Sequence, residues 1–172
     1  SLGGLDYWRG KNDSPLNRVV RNVVSVDPER GTIDRGVEKT QHAARPKLLY
    51  AGRYIPSKNL GNLLKALALV LPKFPDAIAE FCGEGSLKAD LLRERDRLGL
   101  ASRVTIGGYL DPLVTKLRDT TLFISPSTFE GNPNAVIEAA ACGCALVISD
   151  IPAHREFLDD TCAYFVDFNS PA

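Results

Sequence analysis

A doubly wound parallel α/β sheet of about six strands is the fold class this sequence predicts. Three observations predict it. Short, almost continuously apolar runs recur from residue 46 onward. Helical stretches alternate with them, the clearest carrying leucines at helical spacing. Several of these runs end at glycine or at a Gly/Ser/Pro turn before the next helix begins. Runs that are apolar throughout suit strands covered on both faces. Strand and helix in alternation, joined by right-handed crossovers, close into a Rossmann-like sheet.

The elements follow in order. "KLLYAGR" (47–53) is the first strand. "SKNLGNLLKALALVLPKF" (57–74) is a helix carrying Leu60, Leu63, Leu64, Leu67 and Leu71, with Ser57 as its cap and Pro72 as its stop. "AIAEFCG" (77–83) is the second strand, and "SLKADLLRERDRLGL" (86–100) an amphipathic helix. "RVTIGGY" (103–109) is the third strand; "DPLVTKLRDT" (111–120) is a short helix with Asp111 as cap and Pro112 at its first position. "TLFISPS" (121–127), "CALVISD" (144–150) and "CAYFVD" (162–167) complete the strands. "PNAVIEAAACG" (133–143) and "PAHREFLDD" (152–160) are the helices between them.

Residues 1–45 differ. They are rich in Gly, Pro, Asn, Asp and Arg, and read as a linker or extension, with "RVVRNVVSV" (18–26) the one strand candidate. The chain of 172 residues contains no Met, so the expectation is a piece of a longer protein. Residues 46–172 are the domain.

Lys plus Arg and Asp plus Glu number 21 each, a balance that speaks against nucleic acid or acidic membrane as partner. No apolar run is long enough to span a bilayer. Cys82, Cys142, Cys144 and Cys162 match no zinc spacing and read as reduced thiols of a cytoplasmic protein. His42 and His154 pair with no obvious nucleophile.

Ligands of such sheets bind beyond the carboxyl ends of the strands, so those residues carry the site. After strand one come Gly52, Arg53 and Lys58. A lysine in a helix's first turn opposes the macrodipole, and with Arg53 it could hold a diphosphate or be a solvated surface charge. After strand two, Gly83 and Gly85 allow close backbone approach, or simply a tight turn. "GEGSLK" has Lys88 where a dinucleotide fingerprint needs its third glycine. After strand three, Tyr109 lines a base pocket or packs half-buried.

Strand four is followed by "SPSTFEGNPNAVIE". Asn132 can cap the next helix and Pro133 suits its first position. The N–H groups of Asn134 and Ala135 then face an anion site. Glu130 lies just outside that helix end, where a carboxylate also complements the dipole. Glu138 lies inside, among apolar neighbours that suggest a buried helix. A buried ionised carboxylate needs a partner: a structural Arg, a backbone turn, or a ligand diol such as a ribose.

"FEGNPNAVIEAAACGCALVISD" resembles the E-x7-E signature of family 4 glycosyltransferases, the group 1 family, with Glu130 and Glu138 as its two glutamates. "YAGRYIPSKN", "FCGEGSLKADL", "LGLASRVTIGGYL" and "LFISPSTFEG" are similar to further motifs of that family, in its order and spacing; "RNVVSVDPERG" is a looser match. The resemblance implies the second half of a GT-B fold, the half that holds the sugar nucleotide. It implies retaining transfer from a UDP- or GDP-sugar without metal or other cofactor. Its partners would be the nucleotide sugar and an N-terminal acceptor-binding domain, through which any peripheral membrane contact would run. Arg53 and Lys58 would bind the diphosphate and Glu130 the donor sugar, these three being the catalytic set. Gly52, Gly83, Gly131, Asn132, Pro133, Asn134 and Ala135 would line the donor, Glu138 the ribose, and Tyr109 and Leu110 the base. The chain departs from the family at Asn132-Pro133-Asn134, where a small-aromatic loop is common, and at Val23, where glycine is usual. A sugar-nucleotide epimerase, a non-catalytic nucleotide-binding domain and a dinucleotide oxidoreductase are the alternatives; the last is disfavoured by Lys88.

Overall fold

A computed structural model describes residues 45–168. The strand candidate at 18–26, the "RNVVSVDPERG" match and Val23 lie outside the described residues. Six strands, β1 (Lys47–Ala51), β2 (Ile78–Cys82), β3 (Val104–Ile106), β4 (Leu122–Ser125), β5 (Ala145–Ser149) and β6 (Tyr164–Val166), form one sheet in the order β3-β2-β1-β4-β5-β6. Every pairing is parallel. The order reverses between β1 and β4, which opens a crevice beyond their carboxyl ends.

Alternation along the strands feeds both faces. Tyr50, Phe81 and Ile124 point to one face, where they meet α1 (Leu60–Val70) and α2 (Lys88–Arg97). Their neighbours Leu49, Cys82 and Phe123 point to the other, against α3 (Val114–Leu117) and α4 (Asn134–Ala141). That is why the strands read as continuous apolar runs. A short α5 (Pro152–Arg155) precedes β6.

Several boundaries differ from expectation. Helix α1 begins at Leu60, because Pro56–Lys58 forms a separate 3-10 turn and Asn59 takes the left-handed conformation, φ 55°. Ser57 is therefore not its cap. Instead the Ser57 carbonyl accepts the Thr128 N–H at 2.8 Å. Helix α3 begins only at Val114, with Leu113 rather than Asp111 before it. β3 ends at Ile106, since Gly107 and Gly108 continue as loop and hydrogen-bond the end of β2. Arg103 anchors that corner by donating to the carbonyls of Leu71, Phe74 and Ala77. Among the described residues, no helix is long and apolar enough to cross a membrane. Cys82 and Cys144 are buried thiols, Cys142 is half-buried and Cys162 exposed; none of the four forms a disulfide.

Candidate functional site

The crevice is built where the loops after β1, β2 and β4 converge. Backbone hydrogen bonds continue the sheet past its strands: Gly52 N–H donates to Cys82 O and Gly83 N–H to Gly108 O, both at 2.9 Å. The loops run so close that a Cβ on Gly83 would lie 1.9 Å from the Gly52 carbonyl oxygen. Gly83 is thus required first by its neighbouring loop, and only then lines the crevice. Tyr50 reaches under the first loop, and its hydroxyl donates to the Arg53 carbonyl at 3.0 Å.

Two adjoining cavities share the wall of Ala51, Gly52, Arg53, Asn134 and Ala135. The first, about 410 Å³, adds Lys58, Glu130 and residues 131–133. The second, about 450 Å³, adds Gly83, Tyr109, Leu110, Asp111 and Glu138. Each residue that the resemblance assigns to the site therefore borders one cavity or both; Gly85 borders neither and lies instead against the Tyr54 backbone.

The charges are arranged differently from expectation. Lys58 does not stand with Arg53 as a free cationic pair. Its Nζ donates to Glu130 Oε1 at 2.5 Å, with both side chains largely shielded, 13% and 11% exposed. The Thr128–Ser57 backbone bond lays the loop after β4 on the turn after β1 and so brings the two together. Glu130 is consequently a partner of Lys58 rather than a free carboxylate at the helix end. Arg53 is exposed and meets no carboxylate among the described residues.

Helix α4 begins at Asn134, after Pro133. Asn132 does not cap it: its side-chain amide donates to Asn134 Oδ1 at 2.7 Å, and its carbonyl accepts the Asn134 N–H at 3.0 Å. Of the two amides expected to face an anion, the Asn134 N–H is thus taken. The Ala135 N–H meets no acceptor among the described residues. The helix is also not buried all round. Only Val136 and Ala139 are buried, and Glu138 sits half-buried against the second cavity. Burial, and then the nearby Asp111 carboxylate, raise the Glu138 pKa above the ordinary carboxylate value. The Glu138 backbone carbonyl accepts the Cys142 N–H at 2.9 Å, but no group among those described donates to its carboxylate. Tyr109, 76% exposed, is not packing material for the core.

Three contributors escaped the sequence. Ser127, fully buried, donates to Glu130 Oε1 at 2.7 Å. Asp111 faces Glu138 from across the second cavity's lining. Tyr50 supports the Arg53 loop. Nothing in their local pattern separates them from a loop serine, a helix cap and a core aromatic.

The fold and this crevice define a class: a Rossmann-like domain whose switch-point cleft is lined by an arginine, a lysine–glutamate pair, a helix start and a second glutamate. Residues 45–172 match the family described as Glycosyl transferases group 1, and the chain belongs to that family. It is 26% identical over 140 residues to the Escherichia coli UDP-Gal:alpha-D-GlcNAc-diphosphoundecaprenol alpha-1,3-galactosyltransferase, covering 77% of this chain and 36% of that protein. The fold superposes on S. aureus TarM in a complex with UDP, TM-score 0.78 at 20% identity, over 98% of this chain and 34% of that one. It also superposes on the C-terminal domain of a group 1 family glycosyl transferase from Francisella tularensis, TM-score 0.64 at 24% identity, over 72% of this chain and 70% of that one. The architecture is that of one Rossmann-like half of a GT-B fold. The chain spans about a third of the length of the E. coli relative it matches.

Proposed function

We propose that the chain is the donor-binding domain of a retaining, metal-independent glycosyltransferase, which moves a sugar from a nucleoside-diphosphate sugar to an acceptor. One observation carries the reading. A single crevice at the switch point joins an exposed arginine, a shielded lysine–glutamate pair, an open helix-start amide and an unpartnered glutamate. That set complements the parts of a nucleotide sugar.

The diphosphate would lie along Arg53, Lys58 and the start of α4. Negative charge grows on it as the glycosidic bond breaks. Pre-placed cations and amides stabilise that charge in the transition state more than in the ground state, so they supply the leaving-group electrostatics without a metal. Lys58 keeps two of its three ammonium hydrogens for phosphate after the bond to Glu130. Glu138 would accept the two ribose hydroxyls, which relieves its lack of a partner. Tyr109 offers a π-face to the base. Glu130 would accept a donor-sugar hydroxyl. Retention of configuration rests on the resemblance to the family. UDP as the nucleotide finds support in the name of the galactosyltransferase relative, which specifies UDP-Gal.

The test combines binding and turnover. Calorimetry with UDP, GDP, ADP and NAD should give binding to UDP or GDP in preference to the other two. Transfer from the matching labelled donor by the enzyme containing this domain should persist in excess EDTA. Activity that disappears with chelator and returns with Mg²⁺ or Mn²⁺ would refute metal independence. Tight binding of NAD alone would refute the class.

A further inference from the structure

We infer that Ser127 is a positioning residue of the donor site, fixing the rotation of the Glu130 carboxylate so that one oxygen holds Lys58 and the other faces the sugar. The inference rests on the glycosyltransferase reading above.

Glu130 Oε1 accepts two hydrogen bonds, from Lys58 Nζ at 2.5 Å and from Ser127 Oγ at 2.7 Å. Oε2 accepts none from the described residues. The carboxylate is thus divided, one oxygen saturated by protein and the other left to the cleft. Lys58 alone does not impose this division. An ammonium is a compact, swivelling donor, and the terminal torsion of a glutamate is broad. A hydroxyl on a short side chain next to a strand end is a fixed donor. Ser127 has one torsion, its site admits no water, and Glu130 is the charged acceptor it meets.

Its surroundings hold it further. Ser125 Oγ lies 3.5 Å from Ser127 Oγ, and the Ser125 carbonyl accepts from Ser149 Oγ at 3.3 Å. The Ser149 carbonyl is bound in turn by His154 Nδ1 at 2.8 Å. All four residues are buried. These ties run from the carboxyl ends of β4 and β5 to the cleft, so the rigid sheet fixes the direction in which Glu130 Oε2 points.

Removing the hydroxyl should leave the Lys58–Glu130 charge pair intact and release only the orientation. Diphosphate binding would survive; the sugar contact would loosen. The experiment is calorimetry of the 172-residue chain with UDP and UDP-glucose, and with GDP and GDP-mannose. It compares wild type, Ser127→Ala, Glu130→Gln and the double variant, with melting curves recorded for each. The readout is the ratio of the two Kd values within each pair, which isolates the sugar. Ser127→Ala should keep the nucleoside diphosphate within about twofold, while the sugar's contribution falls about tenfold, the usual effect of losing a hydrogen bond to a charged group. Because Ser127 acts through Glu130, the double variant should lose no more than Glu130→Gln alone. Equal weakening of both ligands, additive losses, or an unchanged sugar ratio would each overturn the inference while leaving the function standing. Failure of the wild-type chain to bind any of the four ligands would sink the function itself and this inference with it.

Discussion

Glu138 sits in the fold at a disadvantage. Its carboxylate is half-buried, faces Asp111 and has no hydrogen-bond donor among the described residues. Its pKa is raised in the fold, so its contribution to stability is full below the ordinary carboxylate range and is lost as pH rises through the folded value. At neutral pH the ionised carboxylate therefore costs stability. Glu138→Gln should raise the melting temperature of the free chain at pH 7 by roughly 1–3 °C, and the gain should fade towards pH 4. The same change should weaken UDP or GDP about tenfold, since a charge-assisted bond to the ribose is lost. It should weaken the 2′-deoxynucleotide far less. A variant that binds the ribonucleotide as well as wild type would remove Glu138 from the ribose.

The loops after β1 and β2 act as one element, stitched by backbone hydrogen bonds and pressed together at Gly83 and Gly52. Gly83→Ala places a methyl 1.9 Å from the Gly52 carbonyl oxygen, a contact that backbone movement alone can relieve. The expected cost is about 2–3 kcal/mol of stability together with weaker nucleotide binding, because Arg53 rides on the displaced loop. Gly61 makes the contrast. It lies on the exposed side of α1, where an added Cβ meets nothing within 4 Å. Gly61→Ala should stabilise by roughly 0.5–1 kcal/mol and leave binding unchanged. Urea unfolding of both variants checks the pair of signs. A Gly83→Ala domain as stable as wild type would show that the loops are separable.

At the scale of the whole domain, the two apolar clusters on opposite faces of the sheet make a core that does not depend on the crevice. The crevice itself is open, so ligand charges stay partly in water and binding should be weak. A nucleoside diphosphate bound with a Kd of about 1 mM and supplied at about 10 mM would stabilise the chain by roughly 1.4 kcal/mol, a rise of about 3–5 °C in melting temperature. UDP or GDP should produce that shift, and NAD should not. An equal shift from all of them, or from inorganic phosphate alone, would mean that the crevice reads charge and not a nucleotide.

The alternation of strands and helices was legible along the chain because side-chain direction is a local property. Leu49 and Tyr50 point to opposite faces, and a sheet covered on both needs both to be apolar. The cavity-lining residues were legible for a related reason: parallel strands place their following loops on one edge, whatever the details. Tertiary structure decided the rest. Asn132 reads as a cap by type and position, yet it bonds within its own turn. α4 reads as buried by composition, yet it shows its Glu138 side to a cavity. Lys58 is 72 residues from Glu130, and their meeting depends on β1 lying beside β4 and on Thr128 bonding Ser57. Ser127 meets Glu130 within the loop after β4, three residues away, and only the convergence with Lys58 makes that contact part of the site. A periodic pattern reports where a side chain points from its own backbone. Which group it then meets is set by strand order and loop packing, and those are properties of the folded whole.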